Sequence, residues 1–115
     1  MLREQLNGIQ HVGIPTNDIE ATIEFYGKLG FEVALQTVNE EANEKVAFLK
    51  LNNLVIETYE NKAAKMESGA IDHVAIDVKD IEKVYELINQ ADLNTTRDII
   101  HFFTILGKWC QIFYN

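Results

Sequence analysis

The stretch GIQHVGIPTNDIEATIEFY, residues 8–26, decides the fold, because the chain contains it twice. Moved 62 positions along, it falls without a gap on AIDHVAIDVKDIEKVYELI, residues 70–88. Ile9, His11, Val12, Ile14, Asp18, Ile19, Glu20 and Glu24 then meet Ile71, His73, Val74, Ile76, Asp80, Ile81, Glu82 and Glu86. Self-similarity at one fixed offset is the mark of a duplicated structural unit. The chain therefore reads as two copies of one unit.

Each copy opens with a short β-branched run, Ile9, Val12 and Ile14 in the first and Ile71, Val74 and Ile76 in the second, which predicts a strand. A helix follows. Asn17 or Asp18 can cap the first one, Ile19, Ile23, Tyr26 and Leu29 recur at helical spacing, and Gly30 stops it as a C′ glycine. The second helix starts near Asp80, with Ile81, Val84, Tyr85 and Ile88 expected as its buried stripe. Three strand-like stretches come after the first helix: FEVALQTV, EKVAFLKL and NLVIETYE. Asn52 and Asn53 between the last two suit a tight hairpin turn. The unit is β-α-β-β-β. Unit one is expected at residues 8–60, a connector rich in Lys, Ala, Glu and Ser at 61–69, and unit two at 70–115.

Composition removes several partners. The chain has 115 residues and a net charge of −8, with Arg3 and Arg97 as its arginines, so phosphate backbones are disfavoured and no nucleic acid is expected. No apolar run approaches the roughly 20 residues that cross a bilayer, and residues 1–20 contain no signal-peptide core, so no membrane is expected. The single cysteine, Cys110, excludes an internal disulfide and suits a cytoplasmic setting. A small-molecule substrate or another protein is left.

His11 and His73 hold the same position in the two copies. Each singly reads as a hydrogen-bonded structural histidine. Related units packed about a pseudo-twofold axis bring equivalent strands together, so the pair can face one cavity. Alternation puts Ile9, His11 and Gly13 on one side of their strand, and Ile71, His73 and Ala75 on one side of theirs. Glu57 interrupts the apolar run NLVIETYE and shares a face with Val55 and Tyr59. A carboxylate inside a buried strand costs several kcal/mol unless it is paired, hydrogen-bonded or bound to a metal. Two histidines and a carboxylate form a reasonable ligand set for a divalent transition metal. The competing reading puts Glu57 on a solvated face and leaves both histidines structural.

QHVGIPTNDIEATIEFYGKLGFE, NLVIETYE and DHVAIDVKD together resemble the vicinal oxygen chelate superfamily, which includes glyoxalase I, methylmalonyl-CoA epimerase, the bleomycin- and fosfomycin-resistance proteins and the extradiol dioxygenases. The resemblance covers residues 8 to about 100 and implies an α+β fold: two paired β-α-β-β-β units forming a curved mixed sheet around a cavity. It also implies a metal site fed by the first and fourth strands of each unit. His11 and His73 match the first-strand ligands and Glu57 the fourth-strand ligand of unit one. The presence of Glu57 favours the glyoxalase-epimerase pattern, a metal-dependent lyase or isomerase that works on a small substrate through an enediolate. The metal would be a divalent ion such as Ni, Zn, Co or Mn, and Glu57 would be both ligand and catalytic base. A metal-free binding protein of the bleomycin-resistance type is the alternative reading. An extradiol-type dioxygenase has no use for Glu57. Members commonly dimerise, so a homodimer is expected. Arg97 and Lys50 are loose candidates for an anionic substrate group, and both read equally as solvated surface charges.

Unit two lacks its expected acid. The repeat puts the counterpart of Glu57 at position 119, and the chain stops at Asn115. One solution is a shortened last hairpin, with CQIFY as the strand and Gln111 in place of the carboxylate. The other lies in the reading frame. Loss of one T from a run encoding Phe102 and Phe103 lets the same bases read Phe-Leu-Pro-Phe-Trp-Glu-Asn-Gly-Val-Arg-Phe-Phe-Thr, an Asn-Gly turn leading into a strand. On that reading unit two is incomplete, and the residues from about Phe103 are an out-of-frame tail in which Trp109 and Cys110 are neighbours by accident.

Overall fold

The computed structural model describes residues 1–67, 69–93 and, for their backbone alone, 109–111. Contacts divide the chain into two units, Met1–Lys65 and Met66–Asn115, each with a sheet of its own. The class is α+β.

In unit one, β1 (Val12–Thr16) leads into α1 (Ile19–Lys28), followed by β2 (Glu32–Asn39), β3 (Glu44–Leu51) and β4 (Leu54–Glu60). The sheet is mixed, in the order β1-β4-β3-β2. β4 runs parallel to β1 and antiparallel to β3, and β3 runs antiparallel to β2. This is the expected β-α-β-β-β unit, with α1 carrying the chain from β1 at one edge of the sheet to β2 at the other.

Local chemistry sets the helix ends. Asp18 keeps extended angles and its side chain accepts from the Ala21 N–H at 3.1 Å, so Asp18, not Asn17, is the N-cap. At the far end Gly30 takes φ +102°, Phe31 N–H donates to Tyr26 O at 3.0 Å, and Gly30 N–H donates to Gly27 O at 3.0 Å. That is the paired closure of a Schellman motif.

α1 buries Ile19, Thr22, Phe25 and Tyr26 against Ala47, Leu49, Ile56 and Thr58 of the sheet, with Phe31 at its end. Burying a side chain such as Leu49 or Ile56 contributes about 1.5–3 kcal/mol. The expected stripe of Ile19, Ile23, Tyr26 and Leu29 is corrected here: Ile23 and Leu29 are half-buried, while Thr22 is fully inside. Thr22 is admitted because its hydroxyl is satisfied. It contacts Thr16 Oγ1 at 2.7 Å and donates to Asp18 O at 3.1 Å. Phe25, Tyr26 and Phe31 stack edge to face at 5.2 and 5.1 Å.

Asn52 and Asn53 make the β3–β4 turn, with Asn52 at φ +52°. Alternation along β4 sends Ile56 and Thr58 toward α1, and Val55, Glu57 and Tyr59 to the opposite face. β2 is an outer strand on which every residue is exposed.

Unit two contains β5 (Ala75–Asp77), α2 (Ile81–Gln90) and β6 (Trp109–Gln111) among the described residues. Asp80 repeats the role of Asp18, accepting from the Lys83 N–H at 3.1 Å. The expected buried stripe of α2 is corrected among the described residues: Ile81, Val84, Tyr85 and Ile88 are half-buried, and its other residues are exposed. β6 pairs antiparallel with β5, unlike β4 beside β1, in the register Ala75↔Gln111, Ile76↔Cys110 and Asp77↔Trp109. Ile9 and Ile71, expected inside strands, are exposed and precede β1 and β5. Apart from the backbone of 109–111, the tail expected from Phe103 lies outside the described residues, as does Arg97.

Candidate metal centre

The face of the sheet away from α1 carries the chemistry of unit one. β1 and β4 are paired so that Gly13 stands beside Glu57 and Val12 beside Ile56. β3 adds Phe48 on the other side of Glu57. His11 immediately precedes β1 and brings its imidazole to the same place, with Nε2 3.8 Å from Glu57 Oε1. Its ring packs edge-on against Phe48, centroid to centroid 5.5 Å at 85°. The side chains of His11 and Glu57 are 37% and 29% exposed, open enough for a ligand to reach them.

Gly13 matters by what it lacks. A Cβ built there would lie 3.5 Å from Glu57 Oε1 and 3.7 Å from the Tyr59 ring. Its absence leaves room beside the carboxylate.

The other imidazole nitrogen, His11 Nδ1, is hydrogen-bonded to Gln10 Oε1. An amide oxygen only accepts, so Nδ1 donates, and Nε2 of the neutral ring is a lone-pair nitrogen. Two acceptors, Nε2 and Oε1, thus face each other across a gap too long for a hydrogen bond. Among the described residues no N–H or O–H donates to the Glu57 carboxylate. Two donors bonded to one ion at about 2.0–2.2 Å each lie about 3–4 Å apart. One imidazole nitrogen and one carboxylate oxygen, at this spacing beside an uncrowded Gly13, fit a divalent ion of the borderline class.

His73 belongs to unit two. It precedes β5 as His11 precedes β1, and its Nδ1 meets Asp72 Oδ2 at 2.8 Å. In the β5–β6 register Gln111 stands opposite Ala75, as Glu57 stands opposite Gly13 in unit one. Gly13 and Ala75 are equivalent in the repeat. The carboxylate of unit one therefore has Gln111 as its register counterpart.

Several participants were not singled out from the sequence. Gln10 and Asp72 differ in identity, so matching letters between the copies passed over them, although both are polar and precede a repeated histidine. Phe48 becomes visible only through the β3–β4 register. A second acidic group, Asp18, Glu20 and Glu60, brings carboxylate oxygens within 4.8 Å of one another. Its members are already engaged: Asp18 caps α1, Glu60 accepts from the Ile19 N–H at 2.9 Å, and Lys45 lies 3.8 Å from Glu20. Three carboxylates at a helix N-terminus also complement its dipole.

Comparison with known proteins follows this geometry. The model of the Glyoxalase/Bleomycin resistance protein/Dioxygenase superfamily matches residues 8–104. A solved glyoxalase family protein from Enterococcus faecalis is 25% identical, with TM-score 0.71 over 96% of this chain and 91% of the other. The fold is also that of SMU.1112c, 20% identical, with TM-score 0.69 over 96% of this chain and 92% of the other. No curated protein sequence matches.

Proposed function

The chain belongs to the Glyoxalase/Bleomycin resistance protein/Dioxygenase superfamily, and from that premise we propose that it is a metal-dependent lyase or isomerase of the glyoxalase I-like kind. The observation that carries the reading is the pair of facing acceptors, His11 Nε2 and Glu57 Oε1 at 3.8 Å, beside the space left by Gly13. His11 and Glu57 would hold a divalent ion, and His73, equivalent to His11 in the repeat, is the third ligand of this reading. Such an ion supplies Lewis acidity toward two adjacent oxygens of a small substrate.

The protein's own residues supply the rest. Glu57 has a second carboxylate oxygen to take a proton from the carbon next to a substrate carbonyl and return it to a neighbouring atom. Phe48 sits against the His11 ring, fixes its plane and gives that side of the site an apolar wall. Gly13 keeps the approach to Glu57 open. Superfamily members bind small molecules and often form dimers, and a small-molecule substrate and a second copy of the chain are the partners proposed here. No helix among the described residues is long and apolar enough to cross a membrane.

Metal analysis of the purified chain, after loading with Ni, Zn, Co or Mn in turn, tests the proposal. Stoichiometric metal in the wild type that is lost in a His11→Ala/His73→Ala variant supports it. No metal under any loading sinks it, and leaves the metal-free binding role of the bleomycin-resistance type.

A further inference from the structure

We infer that Gln10 and Asp72 are positioning residues that set the tautomer of the two repeated histidines, each taking the Nδ1 proton of the ring that follows it and leaving Nε2 as the lone-pair nitrogen. The contact occurs twice, at the same offset from equivalent histidines: Gln10 Oε1 on His11 Nδ1, and Asp72 Oδ2 on His73 Nδ1 at 2.8 Å. His11 sits one residue ahead of β1 at Val12, and His73 two residues ahead of β5 at Ala75. There the chain is not yet held in a ladder, and a side chain can fold back onto its neighbour's ring.

The chemistry of the acceptors gives the direction. An amide oxygen and an ionised carboxylate have no proton to offer, so Nδ1 is the donor in both contacts. An imidazole free in water favours the opposite tautomer, with the proton on Nε2, so the protein is imposing a choice. In unit one the choice has a visible result, because the freed Nε2 is the nitrogen that lies 3.8 Å from Glu57 Oε1. The two copies are not equal. The bond to the Asp72 carboxylate is charge-assisted, and the bond to the neutral Gln10 amide is not. The tautomer assignment stands on the geometry alone; its effect on a bound ion rests on the metal reading.

The test uses the full chain, labelled with 15N in histidine and stripped of metal by a chelator. Long-range 1H–15N correlation spectra at about pH 8.5, above the ordinary imidazole range, report which nitrogen is protonated. His101, the third histidine, is assigned with a His101→Gln variant. The expected result is an Nδ1–H pattern for both His11 and His73. Gln10→Ala returns His11 to Nε2–H, Asp72→Ala does the same for His73, and Asp72→Asn, which keeps an acceptor oxygen, preserves Nδ1–H. Zinc affinity by competition then falls about 10- to 100-fold in Asp72→Ala and is rescued in Asp72→Asn. An Nε2–H pattern at either ring in the wild type overturns the inference, and that spectrum decides even if a variant fails to fold. Tautomers unmoved by the alanine substitutions also overturn it. A wild type with the expected tautomers that binds no zinc overturns the proposed metal function and leaves the inference standing.

Discussion

Replacing Thr58 by Val is expected to stabilise the protein, while the same change at Thr22 is expected to destabilise it. Thr58 is 0% exposed, between Ile14 of β1 and Ala47 of β3, and its hydroxyl has no hydrogen-bond partner among the described residues. A buried hydroxyl left unpaired costs about 1–3 kcal/mol, and a methyl in its place adds up to about 0.8 kcal/mol of apolar burial. The pocket already holds a side chain of nearly that shape, and Val keeps the β-branch the strand prefers. Part of the gain is offset by the larger methyl group, which leaves about 1–2 kcal/mol. For a chain of this length that is a rise in Tm of about 4–8 °C. Thr22 is the control, because it is equally buried but bonded to both Thr16 Oγ1 and Asp18 O. Its loss removes two hydrogen bonds of the Thr22 hydroxyl, while Thr16 Oγ1 and Asp18 O keep the bond to each other, and costs about 1 kcal/mol. Urea unfolding followed by circular dichroism reads both, with the slope m required to stay constant so that midpoints report stability. A Thr58→Val protein less stable than wild type would refute the reasoning, since the hydroxyl must then have a partner whose loss outweighs the methyl.

Glu57→Gln keeps the side-chain shape in the sheet but removes the charge and the base. Retained metal is expected to drop below stoichiometry and any turnover by about 10²–10⁴-fold, with the melting curve of unit one little changed; elemental analysis and a coupled assay check this. Gly13→Ala places a Cβ at ordinary contact distance, 3.5 Å from Glu57 Oε1, so the fold is expected to persist while zinc affinity, measured by competition, weakens about tenfold. Asp18→Ala and Asp80→Ala each remove an N-cap bond of 3.1 Å and are expected to cost about 1 kcal/mol in urea titrations, with Asn restoring most of it in both helices.

Unit one was legible where chemistry is local and repeated. The duplicated caps Asp18 and Asp80, the stop at Gly30 and the Asn52–Asn53 turn follow from side chains acting on their own backbone. The helix stripe was read less well, because hydropathy counts Thr22 as polar and cannot see that Thr16 and Asp18 satisfy it. His11 was singled out by its repetition at His73 and Glu57 as a charge in an apolar run, and the parallel β1–β4 register sets Glu57 beside Gly13, two residues beyond His11. Gln10 and Asp72 were missed for a different reason. Alternation assigns neighbouring residues to opposite faces, a rule that holds inside a strand and lapses just before it. Gln111 was named from the sequence as one stand-in for the carboxylate, but the direction of its strand was out of reach, since the repeat assumes a parallel partner for β5 and β6 runs the other way.

The exposed outer strand β2 has a consequence for how molecules of this protein behave toward one another. Its eight residues carry one charge, Glu32, at the very start, and VALQTV after it has, among the described residues, no strand on its outer edge and mostly apolar side chains. The opposite outer strand of that sheet, β1, is interrupted by Pro15, whose missing N–H spoils it as a template. Among the described residues of unit one, growth of this sheet by strand addition is thus open at β2, with a chain charge of −8 to hold it in check. Colloidal stability rests on long-range repulsion rather than on a guarded edge, so concentrated salt, or acid that neutralises the carboxylates, brings clouding well before either unfolds the core.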